Sequence, residues 1–185
     1  MNCRYFKTIL SVLALAVNVY MGPNYVFADS AEEIDRNVES ALELLYEKSP
    51  SAKAMGEEAE GILVFPSIVK GGFIVGGQFG EGALLKNGET IGYYNTVQVS
   101  YGLQLGLQKY GYALFFMSES ALNWIDKSNG WEIGVGPTIV VIDVGAAGAA
   151  TTTTSKAEIY AFFFGQKGLM AGLGLQGTKI TKITK

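Results

Sequence analysis

The sequence predicts an α+β fold: a mostly antiparallel, strongly curved, glycine-rich β-sheet or barrel-like sheet, with an N-terminal helical segment and one short internal helix. Three observations carry this reading. Helical periodicity is confined to the stretch before Gly61 and to a few residues after Ser118. Ile91 to Leu107 alternates with a period of two, Tyr93, Val97, Val99, Tyr101 and Leu103 on one side and Gly92, Thr96, Gln98, Ser100 and Gly102 on the other. The 24 glycines fall largely inside apolar runs, where a tightly curving sheet places its bulges and corners.

Residues 1–28 read as a secretory signal peptide. Arg4 and Lys7 form the positive end, Thr8 to Val19 the apolar core, and Val26-Phe27-Ala28 a small-x-small cleavage site. That core is shorter than the ~20 residues needed to span a bilayer. Cleavage after Ala28 removes Cys3, the one cysteine, and leaves residues 29–185 as a single domain, helical over 29–60 and mainly β over 61–185. The expected location is the periplasm or cell envelope. The net charge of −3 becomes more negative once Arg4 and Lys7 are gone. Such a chain lacks the basic face of a nucleic-acid protein.

Ser30-Ala31-Glu32-Glu33 is a capping-box pattern, and Ile34, Val38, Ala41, Leu42 and Leu45 share one face of the helix it starts, Ala31 to Lys48. Ser49 and Pro50 restart the chain as a second short helix running to about Ala59 and ending near Gly61. The stretch GILVFPSIVKGGFIVGGQFGEGALL, Gly61 to Leu85, then sets the character of the sheet. Its first apolar run ends at Pro66, Lys70 precedes the glycine pair Gly71 and Gly72, and a second apolar run carries four more glycines. Asn87-Gly88 marks a type I′ hairpin. The alternating run 91–107 is too long for one straight strand and bends at Gly102 and Gly106; Tyr110 to Met117 is a buried strand.

Ser118 caps a helix over Glu119 to Lys127, ended by Asn129-Gly130. Trp131 to Val144 reads as a strand, and residues 145–154 as a loop of small residues. Ala157–Phe164 and Leu169–Gln176 read as a hairpin around Gly165 to Gly168, and the terminal Thr-Lys-Ile repeats as an edge strand guarded by lysines.

Catalytic constellations are missing. Without histidine, and with Cys3 in the leader, the chain offers no histidine triad, thiolate nucleophile or zinc site. The glycine-rich stretch has no Gly-Lys-Ser/Thr, so it is not a P-loop. The reading is a binding protein rather than an enzyme, with no cofactor. Lys70 beside Gly71 and Gly72 is the candidate anion site, because an ammonium and nearby backbone N–H groups together suit a phosphate. Phe163 is the candidate apolar contact: in Phe162-Phe163-Phe164 alternate rings face opposite ways, so at least one needs cover from a helix, another subunit or acyl chains.

GILVFPSIVKGGFIVGGQFGEG, IGYYNTVQVSYGLQLG and FGQKGLMAGLGLQGTKI, in that order, resemble the signatures of the SYLF family, the third in the form usual for its bacterial branch. The resemblance spans about Ile34 to Ile180. It implies a lipid-binding module of the kind found in endocytic adaptors, some of which also bind actin. For an exported bacterial chain it implies phospholipid or a membrane surface as the partner and no actin. Two other readings stay open: a small outer-membrane β-barrel, against which stand the helices and the C-terminal lysine, and a structural envelope protein that self-associates.

Overall fold

A computed structural model of the chain describes residues 29–72, 75–101, 106–126, 130–144, 157–168 and 175–185. The leader expected at residues 1–28, the bend at Gly102 and the loop 145–154 lie outside the described residues.

Helix α1 (Ala31–Lys48) starts where Ser30 Oγ accepts the Glu33 N–H at 3.2 Å. Ser49 does the same for Ala52 at the head of α2 (Pro50–Glu58), with Pro50 in the first turn. Helix α2 stops without a glycine cap: Ala59 is already extended, and Gly61 opens the sheet instead.

The strands are β1 (Gly61–Gly72), β2 (Val75–Lys86), β3 (Glu89–Tyr101), β4 (Gly106–Phe116), β5 (Trp131–Glu132), β6 (Ile139–Asp143), β7 (Ile159–Gly168) and β8 (Lys179–Ile183). Helix α3 (Glu119–Leu122), capped by Ser118, follows β4 and is shorter than the sequence predicts. The sheet order is β5-β8-β3-β2-β1-β4-β7-β6, antiparallel except for β6 against β7. The β2–β3 turn has positive φ at both Asn87 (53°) and Gly88 (80°), as a type I′ turn requires.

Four sequence expectations need correction. Pro66 does not end the first strand. The central strand β1 continues through it by a bulge, with pairing to β4 interrupted between Phe65 and Ile68. A bulge is the one place inside a sheet where a residue without an N–H leaves the ladder intact. Trp131 to Val144 is not one strand but two, on opposite edges, parted by Gly134 (φ 111°) and Gly136 (φ 105°). Gly165 (φ 64°) is not part of a hairpin turn; β7 runs on to Gly168, one extra residue being absorbed between Gly111↔Phe164 and Lys109↔Lys167, and the second arm expected at Leu169–Gln176 lies largely outside the described residues. The C-terminal strand β8 is second from the edge, with the two-residue β5 outside it.

The sheet curls into a half-barrel. Tyr112 on β4 donates its hydroxyl to Thr96 Oγ1 on β3 at 2.7 Å, although β1 and β2 lie between them. In a flat sheet those backbones would stand ~14 Å apart, at ~4.8 Å per strand. The face that carries Tyr112 is therefore the concave one. On it Phe65, Tyr94, Tyr110, Tyr112, Phe116 and Phe163 form a core closed by Ala121, Leu122 and Ile125. The convex face is covered over half its length: Ile62, Val64, Ala83, Ala113, Phe115, Phe162 and Phe164 pack under Ile34, Val38, Leu45 and Ala52 of the N-terminal helices. Asp35 ties α1 to β3 by accepting the Thr90 and Tyr93 hydroxyls, both at 2.9 Å. Among the described residues β5 and β6 end the sheet without pairing to each other. A transmembrane barrel closes its sheet and turns an apolar band to lipid all round, whereas here helices take half of the outer face.

Burial pushes the hydroxyls of Tyr110, Tyr112 and Tyr94 far above the ordinary tyrosine range, helped at Tyr94 by its hydrogen bond to Asp126. The folded chain thus keeps protons that the unfolded chain releases above ~10. Their contribution to stability is complete below that pH and is lost as pH rises from there toward the folded values. Urea midpoints at about pH 8 and about pH 11 are expected to differ, the second being lower. Equal midpoints would contradict the burial of these hydroxyls.

Candidate functional site

The candidate site is built on one transverse row of the sheet. Lys70 on β1 lies directly opposite Gln78 on β2 and Gln108 on β4, and Gln78 lies opposite Gln98 on β3. Side chains at paired positions share a face, and Gln78 is joined to the concave core by Tyr110, whose hydroxyl donates to Gln78 Oε1 at 2.6 Å. The row is one ammonium and three amides set across the inner surface of the curl.

Burial makes the row chemically distinctive. Lys70, Gln78 and Gln108 are 8%, 4% and 3% exposed. A lysine is seldom so buried, and buried amides normally have every polar atom engaged. Gln78 meets that rule, because its amide nitrogen approaches Thr178 Oγ1 at 3.5 Å while its oxygen accepts from Tyr110. Gln98 Nε2 donates to the Gln176 carbonyl at 2.7 Å. Gln108 Oε1 is the exception: it is buried and accepts no hydrogen bond from the described residues. An acceptor left so costs about 1–3 kcal/mol, and a bound donor would recover it.

Beyond this row toward the strand ends, the next concave positions are Gly72, Gly76 and Gly106, paired across β2, β1 and β4. The amides and Lys70 are thus bordered by bare backbone. A side chain on Gly72 would run into Gly76 Cα and the Val75 carbonyl, so the approach of β1 and β2 at their shared hairpin already requires glycine there. Gly71 points the other way, to the convex face, where a Cβ would touch Leu107 Cδ1 at 3.3 Å.

The four residues singled out in the sequence are therefore distributed as follows. Lys70 is a member of the polar row and Gly72 borders it. Gly71 adjoins them in sequence but faces the opposite side. Phe163 shares the concave face with Lys70 but is fully buried, its ring 5.6 Å from those of both Tyr110 and Tyr112. The cover that the Phe162–Phe164 run demands comes from within the fold, from the concave core for Phe163 and from the helix-covered cluster for its neighbours.

The sequence did not single out Gln78, Gln98, Gln108 or Thr178. A signal was present, since a glutamine interrupts each of three strands. Its meaning depends on register, which joins residues up to a hundred positions apart, as Gln78 and Thr178 are.

Fold and site together make an open curl with a buried cationic and amide row, and no group of metal-ligating side chains among the described residues. Residues 97–185 match the family model described as Ysc84, Las17-binding protein actin regulator. This is the SYLF family of the motif resemblance, and its domains are generally non-catalytic binding modules. The match covers just under half of the chain, from the middle of β3 onward; the Lys70 segment precedes it. No curated protein matches the chain.

Proposed function

We propose that the chain is an exported, non-enzymatic phospholipid-binding protein of the cell envelope, and that it takes the lipid headgroup at the concave polar row. The observation that carries this reading is the buried Lys70 between two buried amides, one of which, Gln108, has an oxygen with no hydrogen-bond partner among the described residues. An ammonium suits phosphate oxygens as a point charge. The Gln108 oxygen suits a donor beside the phosphate, such as a glycerol hydroxyl or a headgroup ammonium. The family match to a binding module supports the non-enzymatic part. The leader pattern of residues 1–28 supports export. The Las17 and actin connection in the family's description is not carried over, because the export proposed here would part the chain from both partners.

Lys70→Met tests the reading, since it keeps the aliphatic stem and removes the charge. A charge-assisted hydrogen bond contributes ~1.5–3 kcal/mol. Phospholipid co-purifying with the variant is therefore expected to fall about tenfold or more, with the thermal midpoint unchanged or raised. Unchanged lipid content in a folded variant would remove Lys70 from the site.

A further inference from the structure

The uncovered half of the convex face has a composition the polar row does not explain. Past the reach of the N-terminal helices, the outward positions are Val69 on β1, Val75 and Phe79 on β2, Val97 and Val99 on β3, and Leu107 on β4. All are exposed, Leu107 at 68% and Val99 at 60%. They adjoin one another through the ladder: Val69 faces Phe79, Phe79 faces Val97, and the glycines Gly71 and Gly77 join Leu107 to Val99. Single exposed apolar residues are ordinary, but a contiguous sheet of them marks a surface that meets something.

Lysines flank this patch on both sides along the same transverse row. The row runs Lys179, Val97, Phe79, Val69, Lys109, Lys167 from β8 to β7. Lys109 and Lys167 stand directly opposite each other, an arrangement of like charges that weakens a strand pair. Both are exposed, and neither has a carboxylate partner among the described residues. At the other flank Lys179 pairs across to Glu132 on the edge strand. In a chain of net charge −3, the cationic margin that Lys109 and Lys167 give the apolar centre on its β4–β7 side is a local reversal of sign.

We propose that this half of the convex face docks on an anionic bilayer surface. The apolar side chains enter the headgroup–acyl boundary, as the apolar face of an interfacial helix does. The lysine pair meets lipid phosphates, which also relieves its mutual repulsion. A convex surface with no central charge suits a bilayer better than a protein groove. The inference deepens the phospholipid-binding reading but stands on different residues. The polar row selects a headgroup on the concave side, while this face holds the protein to the membrane.

The test is co-sedimentation of the purified chain with vesicles of phosphatidylcholine alone and of phosphatidylcholine with phosphatidylglycerol. The wild type is expected to bind the anionic vesicles, less as salt is raised. Lys109→Glu with Lys167→Glu is expected to weaken binding about 25-fold or more, near fivefold for each lysine. Val99→Glu with Leu107→Glu is expected to abolish binding. All four positions are exposed, so circular dichroism and the thermal midpoint should match the wild type. Lys70→Met is expected to lose co-purified lipid yet keep vesicle binding, so the two ideas fail separately. Undiminished vesicle binding by both double variants would overturn the proposal. So would equal binding to neutral and anionic vesicles, or a concentration-dependent dimer abolished by Val99→Glu/Leu107→Glu, which would make a second copy the occupant.

Discussion

Phe163→Ala is expected to cost ~3–5 kcal/mol of stability, the range for removing a fully buried aromatic ring. The ring is fully buried and packs against Tyr110 and Tyr112 on the concave face. Tyr112 in turn holds the hydroxyl bond to Thr96 that spans the curl, and Tyr110 holds Gln78 in the polar row. Its loss therefore loosens the site as well as the core. Urea denaturation gives the stability, and the lipid content of the purified variant gives the effect on the site. A stability change below ~1 kcal/mol would place the ring at the surface and contradict the concave core.

Gly82→Val is the second large effect. A side chain there would strike the Val64 carbonyl and the Phe65 ring, and the backbone on both sides is held by the pairing of β2 with β1 and β3. Gly80 and Gly111 also face the Pro66 bulge: a Cβ on the first would meet the Ser67 carbonyl at 2.7 Å, and on the second the Pro66 carbonyl at 3.0 Å. The three glycines make room for the bend that lets a proline sit in the central strand. Overpacking there is expected to cost ~3 kcal/mol. Gly77→Val is the control: a Cβ there meets only the Gln98 carbonyl, at 3.8 Å, so its effect should stay within ~0.5 kcal/mol. Similar midpoints for the two variants would show that the bulge does not need its glycines.

These residues also show how much of the molecule could be read from the chain. Caps and turns were legible because they are local: Ser30, Ser49 and Ser118 each accept the N–H three residues on, and Asn87-Gly88 takes the φ values its turn type needs. The glycine-rich stretch was legible as curved sheet. Its individual glycines were not, because Gly82 serves a bulge on the neighbouring strand and Gly76 a hairpin contact. Pro66 read as a stop because a proline normally excludes a central strand; only the bulge, a tertiary arrangement, admits it.

Alternation in the run 91–107 gave the strand and its two faces but not which face is dry along its whole length. Tyr93 lies against α1, while Val97 and Val99 on the same face are exposed and the polar Thr96 is fully buried. Lys70 was visible as an isolated cation beside glycines. Its amide partners were hidden, since no sequence spacing joins residue 70 to 78 on one side and 108 on the other. Phe163 read as a ring in need of cover, and the tyrosines that cover it sit about fifty positions upstream.

Native mass spectrometry of the chain purified without detergent tests the central claim most directly. The account predicts a protein whose mass corresponds to cleavage after Ala28, carrying one phospholipid that organic extraction releases and identifies. The same preparation of Lys70→Met should be largely free of it. A monodisperse wild-type protein with no lipid, or one that keeps its lipid in the Lys70→Met variant, would contradict the headgroup site.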